Sequence, residues 1–322
     1  INRLIACDGG VMTVAGVEGK YGHHQLIADG GTIEFGQGNQ NLRPNDQMTL
    51  DIQVSNGGKI VMNQQGNGRG AYIGYVSEKE LVTMGVTNAT YETKTSGKGI
   101  FYNGRIGFKD ALINSADTLR FGGGTKPVEV TIVDCVVSNK GAFCVGGDGA
   151  CNLAISGTKY CGGLYLGQNS TGVASFAYTG RVEAVDTDFD LGNDKLYIGY
   201  QPKVTGVFNL RSGSVVSTSG VGVSVGYCGS GEMNVFGGSV KAYQASVAGT
   251  GSDKAETAVG EESVLRILGG EFCIGAQGED EFIGLAVADS SLKTRRGRLV
   301  MNGGVLESCA TFGGICAASR GG

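Results

Sequence analysis

Charge is scarce in this chain. Only 17 % of its 322 residues are Asp, Glu, Lys or Arg, and the net charge is −4. A nucleic-acid binder normally shows a basic face, so that class is excluded. The one dense basic run is Arg295, Arg296 and Arg298, for which a solvated corner is expected. Apolar residues make up 41 %, too many for a disordered polypeptide. Yet no run approaches the ~18 apolar residues of a membrane-spanning helix. Tryptophan is absent, and histidine occurs only at His23 and His24. Adjacent residues on a strand point to opposite faces, so these two make a poor metal pair. They are read as part of an exposed loop. Cysteines in the paired C-x₂-C spacing of zinc sites are also missing.

Glycine is what the chain has in excess, 59 residues against three prolines. With Val, Ser and Thr also abundant, it points to β-structure with many tight corners. The glycines are ordered. A Gly-Gly corner followed by an apolar residue recurs as DGGVM (Gly9, Gly10), DGGTI (Gly30, Gly31), NGGKI (Gly57, Gly58), FGGSV (Gly237, Gly238), LGGEF (Gly269, Gly270) and NGGVL (Gly303, Gly304). A second phrase alternates with it, as YIGY around Gly74, LYLGQ around Gly167, LYIGY around Gly199 and VSVGY around Gly226. Neighbouring copies are mostly about 20 to 35 residues apart, the range of solenoids, propellers and arrays.

Within each phrase apolar residues alternate, as Leu196 and Ile198, Phe208 and Leu210, then Met233 and Val235. Period two means strands with one buried face. Three short strands per unit, separated by glycine corners, make one coil of a parallel β-helix. Propeller blades need about 40 residues and four strands, and are the weaker alternative. The expected fold is therefore an all-β, single-stranded parallel β-helix of roughly ten coils with variable loops, right-handed as parallel connections favour. It is read as one solenoid domain over 1–322, with N-terminal coils at 1–70, irregular coils with insertions at 71–140, regular coils at 141–308 and an end at 309–322. The longest insertions are placed at Thr93–Thr125 and Gly249–Ser263, and a short helix near Val76–Met84. Stacking predicts ladders of Asn209 on Asn234 and of Tyr200 on Tyr227.

The phrases NVFGGSV, RILGGEF, VMNGGVL and FNLRSGSV, with the LYIGY-type strands, resemble the autotransporter-associated β-strand repeat of glycine-rich bacterial surface proteins. The likeness is clearest from about residue 140 onward. It implies an exported protein that works as a surface fibre, adhesin or matrix component. The last residues, ASRGG, do not resemble the membrane-barrel segment that follows such repeats. The first residue is Ile1, which fits a removed export signal.

Candidate chemistry is thin. The motifs of pectin-degrading β-helix enzymes (Asn-Thr-Asp, Asp-Asp, Gly-His-Gly, Arg-Ile-Lys) do not occur intact. The acidic run DTDFDLGND places Asp186, Asp188 and Asp190 on one face of an extended segment, a candidate calcium site, but its glycine comes one place late and no Glu closes it. Other cofactors are not expected. Tyr200 and Tyr227 are candidate sugar-stacking residues. Of the nine cysteines, Cys151 with Cys161 and Cys309 with Cys316 are disulfide candidates by closeness in sequence. Cys7 and Cys316, near opposite ends, are candidates for a crosslink between subunits. Asn88 and Asn169 fit the N-glycosylation pattern.

Repeat phrases reach nearly both ends of the sequence, which leaves little chain for caps. Open strand edges invite pairing with another chain. The leading expectation is an extracellular structural subunit that stacks head to tail with copies of itself. A carbohydrate-binding adhesin is the alternative, and a polysaccharide lyase or hydrolase the third.

Overall fold

The computed structural model describes residues 2–14, 22–36, 41–42, 48–63, 71–73, 81–94, 98–123, 126–168, 177–249, 262–275, 284–287, 295–308 and 314–317. Every regular element among them is a β-strand. They form two compact units, 1–159 and 160–322.

In both units a strand pairs in parallel not with its neighbour in sequence but with the equivalent strand one coil further on. This is the wiring of a parallel β-helix. In the first unit seven strands line up in one sheet, from Asn2–Cys7 and Gly22–Asp29 to Val128–Val133 and Cys151–Ser156. A second sheet runs from Val11–Val14 to Val136–Asn139. A third runs from Asn41–Leu42 to Phe143–Val145. The second unit repeats the plan with five coils in its first sheet, Tyr178–Val185, Val204–Leu210, Ser230–Val235, Glu262–Ile267 and Arg296–Met301.

The alternation seen in the sequence becomes columns of side chains. Leu26, Ile52, Met84, Ile106, Val130 and Leu153 stand in register on successive coils, each at most 3 % exposed. In the second unit Val182, Phe208, Met233 and Leu265 do the same, all fully buried. Each such side chain contributes about 1.5–3 kcal/mol by leaving water. A one-residue slip would turn every column outward, which is what fixes the register. Aromatic rungs stack as well, with Phe101 over Phe121 at 5.2 Å between ring centres.

The corner after the first strand of each coil needs a left-handed backbone. In the first unit φ is positive at Asp8, Asn56, Asn88, Asp110 and Asp134, between +47° and +52°. Asp and Asn are the non-glycine residues that tolerate this region best. In the second unit Asp186 takes it once, then Gly213, Gly238, Gly270 and Gly304. A second role of glycine is close approach. Gly206 and Gly231 stand in register, and a Cβ on either would come within 2.2 Å of the backbone nitrogen of Gly199 or Gly226.

Three expectations are corrected. Val82 and Met84 lie on the strand Val82–Thr87, not on a helix; 76–80 fall outside the described residues. The stretch 93–125 is no insertion: its strands Gly99–Phe101, Arg105–Lys109, Leu112–Ser115 and Leu119–Phe121 supply regular rungs to all three sheets. His23 and His24 sit on the strand Gly22–Asp29 rather than in a loop, and the His23 ring bonds to the Thr49 hydroxyl at 2.7 Å. Of the other expected insertion, 250–261 lie outside the described residues.

Candidate functional site

The acidic run does not converge on a point. Asp186 occupies a left-handed corner, while Asp188 and Asp190 project from the exposed face of the strand Thr187–Gly192. Residues two apart on one strand are separated by roughly 6.5 Å. Each carboxylate already has a partner. Asp186 accepts from the Ser212 hydroxyl at 2.6 Å, Asp188 from Ser214 at 2.7 Å and Asp190 from the Gly192 amide at 3.1 Å. No group of three acidic, histidine or cysteine side chains among the described residues is placed to hold a metal. In place of the expected calcium site, Asp186 and Asp188 bond to hydroxyls of the next coil and Asp190 bonds within its own strand.

The expected Cys151–Cys161 bridge is also corrected. Both are free thiols, Cys151 wholly buried on the strand Cys151–Ser156 and Cys161 exposed. Cys7 is exposed and free as well. Cys309 lies outside the described residues, as does Asn169; Cys316 is on the strand Ile315–Ala317. Burial pushes the Cys144 thiol up to about 11, partly opposed by the neighbouring Arg120 guanidinium. Arg120 in turn is ion-paired with Asp148 at 3.3 Å.

Tyr200 and Tyr227 do form the expected ladder. Their rings stack at 5.2 Å with 13° between planes. The sequence reading missed two further members. Tyr197 lies 4.6 Å from Tyr227 and 5.0 Å from Tyr200, and Tyr165 packs 5.3 Å from Tyr197 and 5.6 Å from Tyr200. The signal was present: LYLGQ and LYIGY are the same phrase one coil apart, and they pair Tyr165 with Tyr197 in register. Burial first, and neighbouring phenols and Cys228 second, push Tyr197 and Tyr227 up to about 12. Stacked in this way, Tyr200 and Tyr227 each spend a ring face on the other, and that face is lost to a sugar.

Beside this cluster stands Arg295, which is 5 % exposed and not on a solvated corner as expected. Its guanidinium donates to four backbone carbonyls: Gly226 at 2.6 Å, Tyr227 at 2.9 Å, Gly229 at 2.9 Å and Gly249 at 2.6 Å. A buried cation is costly unless hydrogen-bonded, and here the glycine-rich corner supplies the acceptors. The same contacts fix the backbone that carries Tyr227.

The outermost described coils form the second feature. Ten large apolar side chains are exposed among the described residues, and six of them lie on these coils. Leu4, Ile5 and Val11 belong to Asn2–Cys7 and Val11–Val14; Met301, Val305 and Ile315 belong to Arg296–Met301, Val305–Ser308 and Ile315–Ala317. Leu4 and Ala6 continue the inward columns of Leu26 and Ala28. Leu299 and Met301 continue those of Leu265 and Ile267.

A polar cleft of about 380 Å³ lies on the second sheet of the first unit, lined by Glu92, Asn114, Ser138 and Lys140 among others. No protein-family model, curated protein or solved structure matches this chain.

Proposed function

We propose that the chain is an extracellular structural β-solenoid that associates end to end with further copies of itself, coil upon coil, into a filament. The observation that carries this reading is the concentration of exposed aliphatic side chains on the two outermost described coils. Contiguous exposed apolar surface marks an interaction site, and an unpaired parallel strand edge is a template for another strand.

The two edges suit one another, which favours a second copy as the occupant. Their first strands are both six residues long and their second strands both four. Inward Leu4 and Ala6 on one edge would meet inward Leu299 and Met301 on the other. Each aliphatic side chain so covered adds about 1.5–3 kcal/mol. A contact between unlike faces that does not close on itself continues into a fibre. Such a stack sets first strands on first strands, so Cys7 falls over the end of Arg296–Met301. Cys316 is on the third strand of its coil.

Electron microscopy of the purified protein tests the proposal. Rods many coils long are expected, and Leu4→Lys or Met301→Lys should convert them to single particles. Leu112→Lys, on an exposed side face, should leave rods intact. Monomers at every concentration for the unaltered chain would sink the reading.

A further inference from the structure

The tyrosine cluster lies along the strands Leu164–Leu166, Leu196–Ile198 and Val221–Val225, none of them on the outermost described coils, and the proposed assembly does not use it. Its geometry has a chemical consequence. Tyr200 and Tyr227 occupy equivalent places on consecutive coils, stacked at 5.2 Å and 13°. Both are half-buried. Neither ring is free to wander. Tyr197 packs edge-on against Tyr200 and at a tilt against Tyr227, and Tyr165 packs edge-on against Tyr200. The backbone of Tyr227 is pinned through its carbonyl by Arg295 at 2.9 Å. With the planes only 13° apart, the ring carbons next to each hydroxyl, the Cε positions, face the partner ring across the 5.2 Å that separates the ring centres.

We propose that Tyr200 and Tyr227 are a modification site, coupled by a one-electron oxidant of the peroxidase class into a dityrosine that staples one coil to the next. In that step each phenol gives up one electron to the oxidant and one proton to water. The two phenoxyl radicals join through a new Cε–Cε bond. The hydrogen on each bonded carbon then moves to the ring oxygen, which restores both phenols. The net loss is two electrons and two protons, taken up by one hydrogen peroxide to give two waters. Holding the partners in place replaces a chance encounter of two radicals with an intramolecular one, the reason this pair reacts ahead of the chain's other tyrosines. The link is within one chain, so it stands or falls independently of filament formation.

The test treats the dilute purified protein with a haem peroxidase and hydrogen peroxide. It then follows the blue dityrosine emission and sequences crosslinked peptides by mass spectrometry. The expected product joins the peptide of Tyr200 to that of Tyr227, two hydrogens lighter than their sum, in the monomeric fraction. Tyr227→Phe and Tyr200→Phe keep the stacked ring and the fold, and each should abolish that product; Tyr102→Phe should leave its yield unchanged. The proposal is overturned if no coupled product forms. It is equally overturned if the emission survives Tyr227→Phe undiminished, or if crosslinks spread evenly over tyrosines outside the cluster.

Discussion

The side-chain amide of Asn234 donates to the side-chain oxygen of Asn209 at 2.7 Å, one coil directly above the other. Both residues are buried, 5 % and 6 % exposed. The pair is the middle of a longer ladder. Asn209 donates to Glu183 at 2.7 Å, and Arg266 donates to Asn234 at 3.1 Å. An acidic residue therefore closes the ladder at one end and a basic one at the other. Arg266 also pairs with Glu232 at 2.8 Å, and Arg211 with Glu183. Every amide in the column has a donor on one side and an acceptor on the other, a polar counterpart of the aliphatic columns inside.

Removing both rungs together should cost less than the two single removals added up. Asn234→Leu leaves the buried oxygen of Asn209 without its donor and takes an acceptor from Arg266. A loss of about 1–3 kcal/mol is expected, the cost of an unsatisfied buried polar group. Asn209→Leu combined with Asn234→Leu should lose less than the sum of the two single changes, because the couple is removed as a unit. Urea denaturation midpoints of the four proteins give both numbers. Strict additivity would mean that the two amides do not interact.

The corners make a second prediction. Asn88 is exposed at the surface but held at φ +47°. Glycine adopts this conformation freely, so Asn88→Gly should change stability little. Asn88→Val places a β-branched side chain in the left-handed region and should cost about 1–2 kcal/mol. Equal effects of the two substitutions in thermal melts would show that the corner does not demand this backbone.

These corners also explain where the sequence was readable and where it was not. Gly-Gly corners such as Gly237-Gly238 and Gly269-Gly270 announce the coil because glycine is the most permissive residue for positive φ. From Asn88 to Asp134 the same backbone is made by Asn88-Ala89, Asp110-Ala111 and Asp134-Cys135, and the repeat vanishes from a glycine-based reading. That is why 93–125 looked like an insertion although its strands are as regular as the rest. The Asn209–Asn234 and Tyr200–Tyr227 ladders were legible because each lies at one position of a repeated phrase. The acidic run misled because spacing along a strand places carboxylates on a face without bringing them to one point.

Arg295 had no legible signal at all. Its four acceptors are backbone carbonyls 46 to 69 residues earlier in the chain, and a carbonyl has no side-chain signature. Its removal should nevertheless be among the most damaging single changes. Arg295→Met leaves four carbonyls of a buried corner short of a donor, and about 3–5 kcal/mol is expected by analogy with other broken buried charge contacts. Arg295→Lys should recover only part, since an ammonium is a point donor and cannot span four acceptors in a planar fork. Arg298→Met, which gives up an exposed pair with Glu262, should cost under about 1 kcal/mol. Melting temperatures that rank Arg298→Met as the worst of the three would contradict this account of the corner.

The phenols of the cluster set the alkaline limit of the second unit. An unfolded tyrosine loses its proton near 10, whereas Tyr197 and Tyr227 hold theirs to about 12 in the folded chain. Below pH 10 both states are protonated and the difference contributes nothing to the pH dependence. Between 10 and 12 the unfolded chain has released protons that the folded chain still binds, so stability must fall as pH rises through this window. The urea midpoint should begin to fall near pH 9, where the unfolded chain's thiols ionise while buried Cys144 keeps its proton, and decline further from pH 10 to 12. Replacing Tyr197 and Tyr227 by Phe removes two of the groups that differ between the states, and the decline should become shallower while the midpoint below pH 9 stays near its original value. A slope between pH 10 and 12 that does not change in the double variant would mean that the cluster's burial does not govern the alkaline transition.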